Sequence, residues 1–85
     1  MTVTLRYFAW VREKVGRGEE TVELPAAVGT VAELIGWLKA RGDNYAAAFE
    51  RDTIIRAALD MQHVKPSASI AGAREIAFFP PVTGG

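Results

Sequence analysis

The sequence predicts an α+β domain, a single sheet packed on one main helix with short extra helices. Two observations carry this. Apolar residues recur at every second position in the segments near both ends of the chain and at helical spacing in the middle. The resulting order is strand, short helix, strand, helix, short helix and three strands, which is not the strict alternation of a parallel α/β sheet. The length, 85 residues, suits one domain. A chain of this size buries about 60–65 % of its unfolded surface, so its core is adequate but not large.

The elements follow in order. In "TVTLRYF", Val3, Leu5 and Tyr7 alternate with Thr2, Thr4 and Arg6, a strand with one buried face. "AWVREKVG" reads as a short helix with Phe8, Val11 and Val15 at helical spacing and Gly16 as its stop. "EETVEL" alternates again, Val22 and Leu24 inward, and Pro25 ends it for want of an N–H. "TVAELIGWLKARG" is the main helix. Thr30 and Glu33 form a capping box, Val31, Leu34, Ile35 and Leu38 make the apolar stripe, and Gly42 is expected to take the left-handed C-cap. "DNYAAAFE" predicts a shorter helix capped by Asp43 or Asn44. "TIIRAALD" predicts a strand with Ile55, Ala57 and Leu59 on one face, and "QHVK" a brief partner stopped by Pro66. After a turn around Gly72, "REIAFF" is the last strand. Ile76 and Phe78 share one face, Ala77 and Phe79 the other.

Composition excludes several classes of function. Ten basic and ten acidic residues balance, which argues against a nucleic-acid or anionic-membrane binder. No apolar run approaches the ~20 residues of a membrane span. "MTVTLRYF" lacks a basic segment leading into an apolar one, so no secretory signal is expected. Without cysteine there is no disulfide and no thiolate, which fits a cytoplasmic protein. His63 is the single histidine, so no His/Cys metal set exists. Neither Ser67 nor Ser69 belongs to a recognisable nucleophile motif. Glu19 and Glu20 are adjacent in a strand, point to opposite faces and read as solvated surface. Trp10 and Trp37 read as packing.

The ending "FFPPVTGG" is the feature left over. Residues 1–79 form the domain and 80–85 a flexible Gly-Gly tail. From Pro80 to Gly85 an extended chain reaches ~18–20 Å. Pro80 and Pro81, with fixed φ, would hold the tail off the domain. Gly84 and Gly85 could thread a channel too narrow for other residues and deliver the α-carboxylate to a partner's active site. Adenylation by ATP would make that carboxylate an acyl donor. On composition alone, two terminal glycines are more often simply frayed.

"EIAFFPPVTGG" resembles the C-terminus of the small subunit of molybdopterin synthase, and "FAWVRE", Phe8 to Glu13, resembles the segment after that family's first strand. The resemblance runs in order through nearly the whole chain. It implies a β-grasp, ubiquitin-like fold. It also implies a sulfur carrier that is itself non-catalytic, in a heterotetramer whose catalytic residues lie on the large subunit. Gly85 would be adenylated by an E1-like enzyme using ATP and converted to a thiocarboxylate by a sulfur donor. Pro80, Pro81, Val82, Thr83 and Gly84 would insert with it into the large subunit. The sulfur would then pass to cyclic pyranopterin monophosphate, building the molybdopterin dithiolene with two carriers per product. No bound cofactor is implied. Phe8 and Phe79 fall at positions of the family's apolar docking surface, as does His63, where the family is usually apolar. Two further departures are "AGAR", Ala71 to Arg74, in place of an acidic turn, and Asp60 where Asn is frequent. The sulfur carrier of thiamine biosynthesis, a ubiquitin-like modifier and a plain interaction module are the alternatives.

Overall fold

A computed structural model describes residues 1–81. Its elements are β1 (Thr2–Tyr7), α1 (Ala9–Val15), β2 (Glu19–Glu23), α2 (Val31–Lys39), α3 (Asp43–Ala48), β3 (Arg56–Leu59), β4 (Gln62–Val64) and β5 (Glu75–Phe79). The sheet order is β2-β1-β5-β3-β4. β1 and β5 run parallel at its centre with Tyr7 opposite Phe78. The remaining pairs are antiparallel. This mixed sheet, with its first and last strands adjacent and α2 against its inner face, is the β-grasp arrangement that the resemblance implies.

The inner face is where alternation placed it. Val3, Leu5, Tyr7, Ile76 and Phe78 are each at most 1 % exposed. Val31, Leu34, Ile35 and Leu38 of α2 close over them. Three aromatic rings lock one end of this core, with the Phe49 and Phe78 centroids 5.1 Å apart and Tyr7 stacked on Phe78 at 6.3 Å. Trp10 and Trp37 pack against the rim of the core, as expected. The capping box is complete. Glu33 N–H donates to Thr30 Oγ1 at 3.2 Å, and Thr30 N–H donates to Glu33 Oε1 at 3.0 Å. Gly16 caps α1 at φ 93°, a conformation that disfavours any side chain.

Four local expectations need correction. Phe8 is not part of the α1 stripe. Its N–H still donates to Phe78 O at 3.0 Å, continuing the sheet, and the chain turns only at Ala9, φ 52°. Phe8 is therefore 41 % exposed. Gly42 is not a left-handed cap. α2 ends at Ala40 in a right-handed conformation, and Gly42, extended at φ 166°, stands at the N-cap of α3. A Cβ there would come within 2.9 Å of Asn44 Oδ1. Neither Asp43 nor Asn44 caps α3, because the Asn44 amide donates to Val15 O at 2.8 Å and so ties α3 to α1. The strand expected from Thr53 begins only at Arg56. Asp52–Ile54 instead form a 3-10 turn, held by Lys39 Nζ on Asp52 at 2.9 Å.

Candidate functional site

β5 is a central strand, so whatever follows Phe79 leaves from the middle of the sheet. Strand pairing sets out the face that surrounds this exit. On the outer side, Arg6, Ala77, Ala58 and His63 lie in one transverse row across β1, β5, β3 and β4. Phe79 sits in the next row, opposite Arg56. Phe8 continues β1 with the parity of Arg6, whose guanidinium lies 5.5 Å over the Phe8 ring. Alanines at the centre of the face leave it shallow between these larger groups.

Phe8, His63 and Phe79, far apart in sequence, thus come to one face. Phe79 leaves the core side, as its alternation with Phe78 requires, but is half-buried. Its ring lies against the His63 imidazole, centroids 5.1 Å apart. His63, Lys65, Arg56, Phe79 and Pro81 line an open groove of about 500 Å³ beside the exit. Pro80 and Pro81 are both half-buried. The expectations for Val82, Thr83, Gly84 and Gly85 lie outside the described residues. Among the described residues no three His, Asp or Glu side chains converge as a metal set would. No described helix is long and apolar enough to cross a membrane.

The reading of Glu20 as solvated surface is overturned. Its side chain is 6 % exposed and accepts hydrogen bonds from Tyr7 OH at 2.8 Å, Tyr45 OH at 2.6 Å and Arg41 Nη1 at 3.0 Å, with Arg17 at 3.5 Å. Burial pushes the carboxyl up, but the bonds from Tyr45, Tyr7 and Arg41 outweigh it and hold Glu20 below the usual carboxylate range. Burial first, then the bond to Glu20, pushes the Tyr7 hydroxyl up. The signal was present. Glu20 has the same strand parity as Val22 and Leu24, so a residue of the inward set had to find partners. Those partners are core tyrosines, whose hydroxyls need acceptors of their own.

The sheet order and the helix against it are those of the small ubiquitin-like β-grasp proteins, here with Phe8 exposed and His63 against Phe79 at the end of the last strand. Comparison with known proteins agrees. The sequence pattern of the ThiS family matches residues 5–85. The molybdopterin synthase sulfur carrier subunit of Escherichia coli is 37 % identical over 98 % of this chain and 99 % of its own. That of Haemophilus influenzae is 32 % identical over 93 % and 94 %. Among solved structures, small archaeal modifier protein 1 from Haloferax volcanii superposes with a TM-score of 0.71 at 20 % identity over 95 % of this chain and 98 % of that one, a likeness of fold alone. The chain belongs to the ThiS family.

Proposed function

We propose that the chain is the sulfur carrier subunit of a molybdopterin synthase. The observation that carries this is the continuity of face and tail. Phe79 ends the central strand on the outer face beside Phe8 and His63, and Pro80–Pro81 lead straight on into "VTGG". The names of the relatives point the same way.

In this reading the domain supplies recognition and Gly85 supplies the reacting group. An oxygen of the Gly85 carboxylate attacks the α-phosphorus of ATP on an E1-like enzyme, and pyrophosphate leaves. Sulfide then displaces AMP from the acyl carbon, leaving a thiocarboxylate; a protein persulfide in its place would first form an acyl disulfide, whose S–S bond a thiol must then reduce. The outer face docks on the large subunit, and residues 80–85 enter it. There the terminal sulfur attacks a side-chain carbon of cyclic pyranopterin monophosphate and displaces an oxygen from it, and water then cleaves the acyl–sulfur bond, leaving the sulfur on the pterin and the carboxylate restored. The glycines suit a narrow channel because they have no side chains. The test is intact-mass analysis after incubation with ATP, activating enzyme and sulfide, followed by large subunit and pterin precursor. The expected result is replacement of one oxygen by sulfur at Gly85, reversed on transfer. No thiocarboxylate would overturn the carrier reading. A thiocarboxylate that the large subunit and pterin do not discharge would point to another acceptor.

A further inference from the structure

The docking face has a cationic side that the tail chemistry does not explain. Arg56 projects from the outer face of β3 opposite Phe79. His63 stands on the outer face of β4, and Lys65, two residues on, continues that side. These three, with Phe79 and Pro81, line the groove at the exit, and among the described residues no acidic side chain does. Among the described residues neither Arg56 nor Lys65 has an ion-pair partner; Arg6, Arg17, Lys39 and Arg41 do, while Arg12, Lys14, Arg51 and Arg74, away from this groove, do not. The rest of the lining is apolar, from Ala57, Val64, Phe79 and Pro81.

Docking over Phe79 and His63 therefore has a consequence for charge. A partner whose surface there was wholly apolar would strip water from two cations and return nothing, a penalty that complementary interfaces avoid. We propose that the protein surface covering this groove presents a carboxylate side chain set among apolar residues, received by Arg56 and Lys65, which the β3–β4 register brings side by side in the row next to His63. Arg56 suits this role because its planar fork matches a carboxylate at two points, and Lys65 adds a mobile point charge. A free small anion fits less well. It would leave the apolar lining and the neighbouring Phe8 ring in water, whereas a protein surface covers both. Charge thus fixes the register of the docked face, and the aromatic contacts supply the buried area.

The proposal rests on the sulfur-carrier reading for its choice of partner, the large synthase subunit of the same organism. The experiment is calorimetric titration of the full chain against that subunit at ~0.05 M and ~0.5 M NaCl, on either side of physiological screening. Wild type, Arg56→Gln/Lys65→Gln and the charge-conserving Arg56→Lys/Lys65→Arg are compared, with thermal melts as folding controls. The expected result is that wild type weakens with salt, that the glutamine pair binds about tenfold or more weakly at low salt and loses most of the salt dependence, and that the charge-conserving pair keeps it. Binding by wild type that the glutamine pair matches in affinity and salt dependence overturns the cationic contact alone. No binding by wild type overturns the choice of partner, and with it the assignment to molybdopterin synthase, while sulfur carriage itself is decided by the mass assay.

Discussion

Phe78 and Phe79 are neighbours with opposite duties, and parity alone separates them. Phe78 is 0 % exposed and contacts the rings of Tyr7 and Phe49. Truncation to alanine should cost about 3–5 kcal/mol of stability, the usual range for a buried aromatic. Phe79 is half-buried on the outer face. Phe79→Glu should cost less than about 1 kcal/mol of stability, yet greatly weaken docking, because it removes the aromatic contact and sets a carboxylate opposite Arg56, where it competes with the partner's own. Denaturant unfolding and titration of the same samples separate the two effects. A large stability loss with intact docking would put Phe79 in the core. Gly85 is the limiting case at this scale. Among the described residues the core cluster runs from Val3 to Phe78, and a glycine has no side chain to bury. Deleting Gly85 should leave stability within about 0.5 kcal/mol of wild type and eliminate thiocarboxylate formation in the mass assay. Retained sulfur loading would show that the terminal carboxylate is not read.

The elements were legible where one local rule acted alone. Alternation located β1, β2 and β5, and the capping box with its apolar stripe located α2. Thr30→Ala should accordingly cost about 1 kcal/mol, measured as a lower denaturant midpoint at unchanged slope. A neutral substitution would mean that Glu33 and the flanking turn hold the helix start unaided. Legibility failed where two rules competed. Gly42 matched both a helix stop and a helix start, and the short distance to α3 selected the second. Asn44 is a good cap by type, but an available carbonyl, Val15 O, lay closer to hand. Thr53 and Ile54 favour strand by propensity, yet Lys39 binds Asp52 and the chain tightens there into a 3-10 turn. The candidate site divides in the same way. The outward parity of Phe79 was readable, whereas its contact with His63 depends on the β3–β4 register. That register follows from a turn in which Asp60 and Met61 both take positive φ, 47° and 72°, with no glycine to announce it.

Across the whole molecule, Glu20 joins parts that the sheet alone does not. Its carboxylate connects β2 to Tyr7 of β1, to Tyr45 of α3 and to Arg41 between the helices, and Arg41 in turn lies over the rings of Trp37 and Tyr45 at 5.2 and 4.7 Å. A carboxyl held below its unfolded value stabilises the fold fully above the unfolded value, ~4.3. That contribution is lost as pH falls through the lowered folded value. At the alkaline end the sign reverses. Burial, then the bond to Glu20, raises both Tyr7 and Tyr45. Their contribution is therefore complete below ~10, the unfolded tyrosine value, and fades as pH rises through the folded ones. The network is at full strength between these limits. Glu20→Gln should lower stability at pH ~7 by roughly 1–3 kcal/mol, the cost of losing charge-assisted bonds at a buried site. The same variant should flatten the acid limb, because the group that takes up the proton is gone. Denaturant unfolding of wild type and variant at pH ~7 and ~3 measures both effects, on either side of the unfolded carboxylate value. The variant must close part of its deficit as pH falls. A deficit equal at both pH values would mean that Glu20 stabilises the fold by shape and neutral hydrogen bonds, with no contribution from its charge.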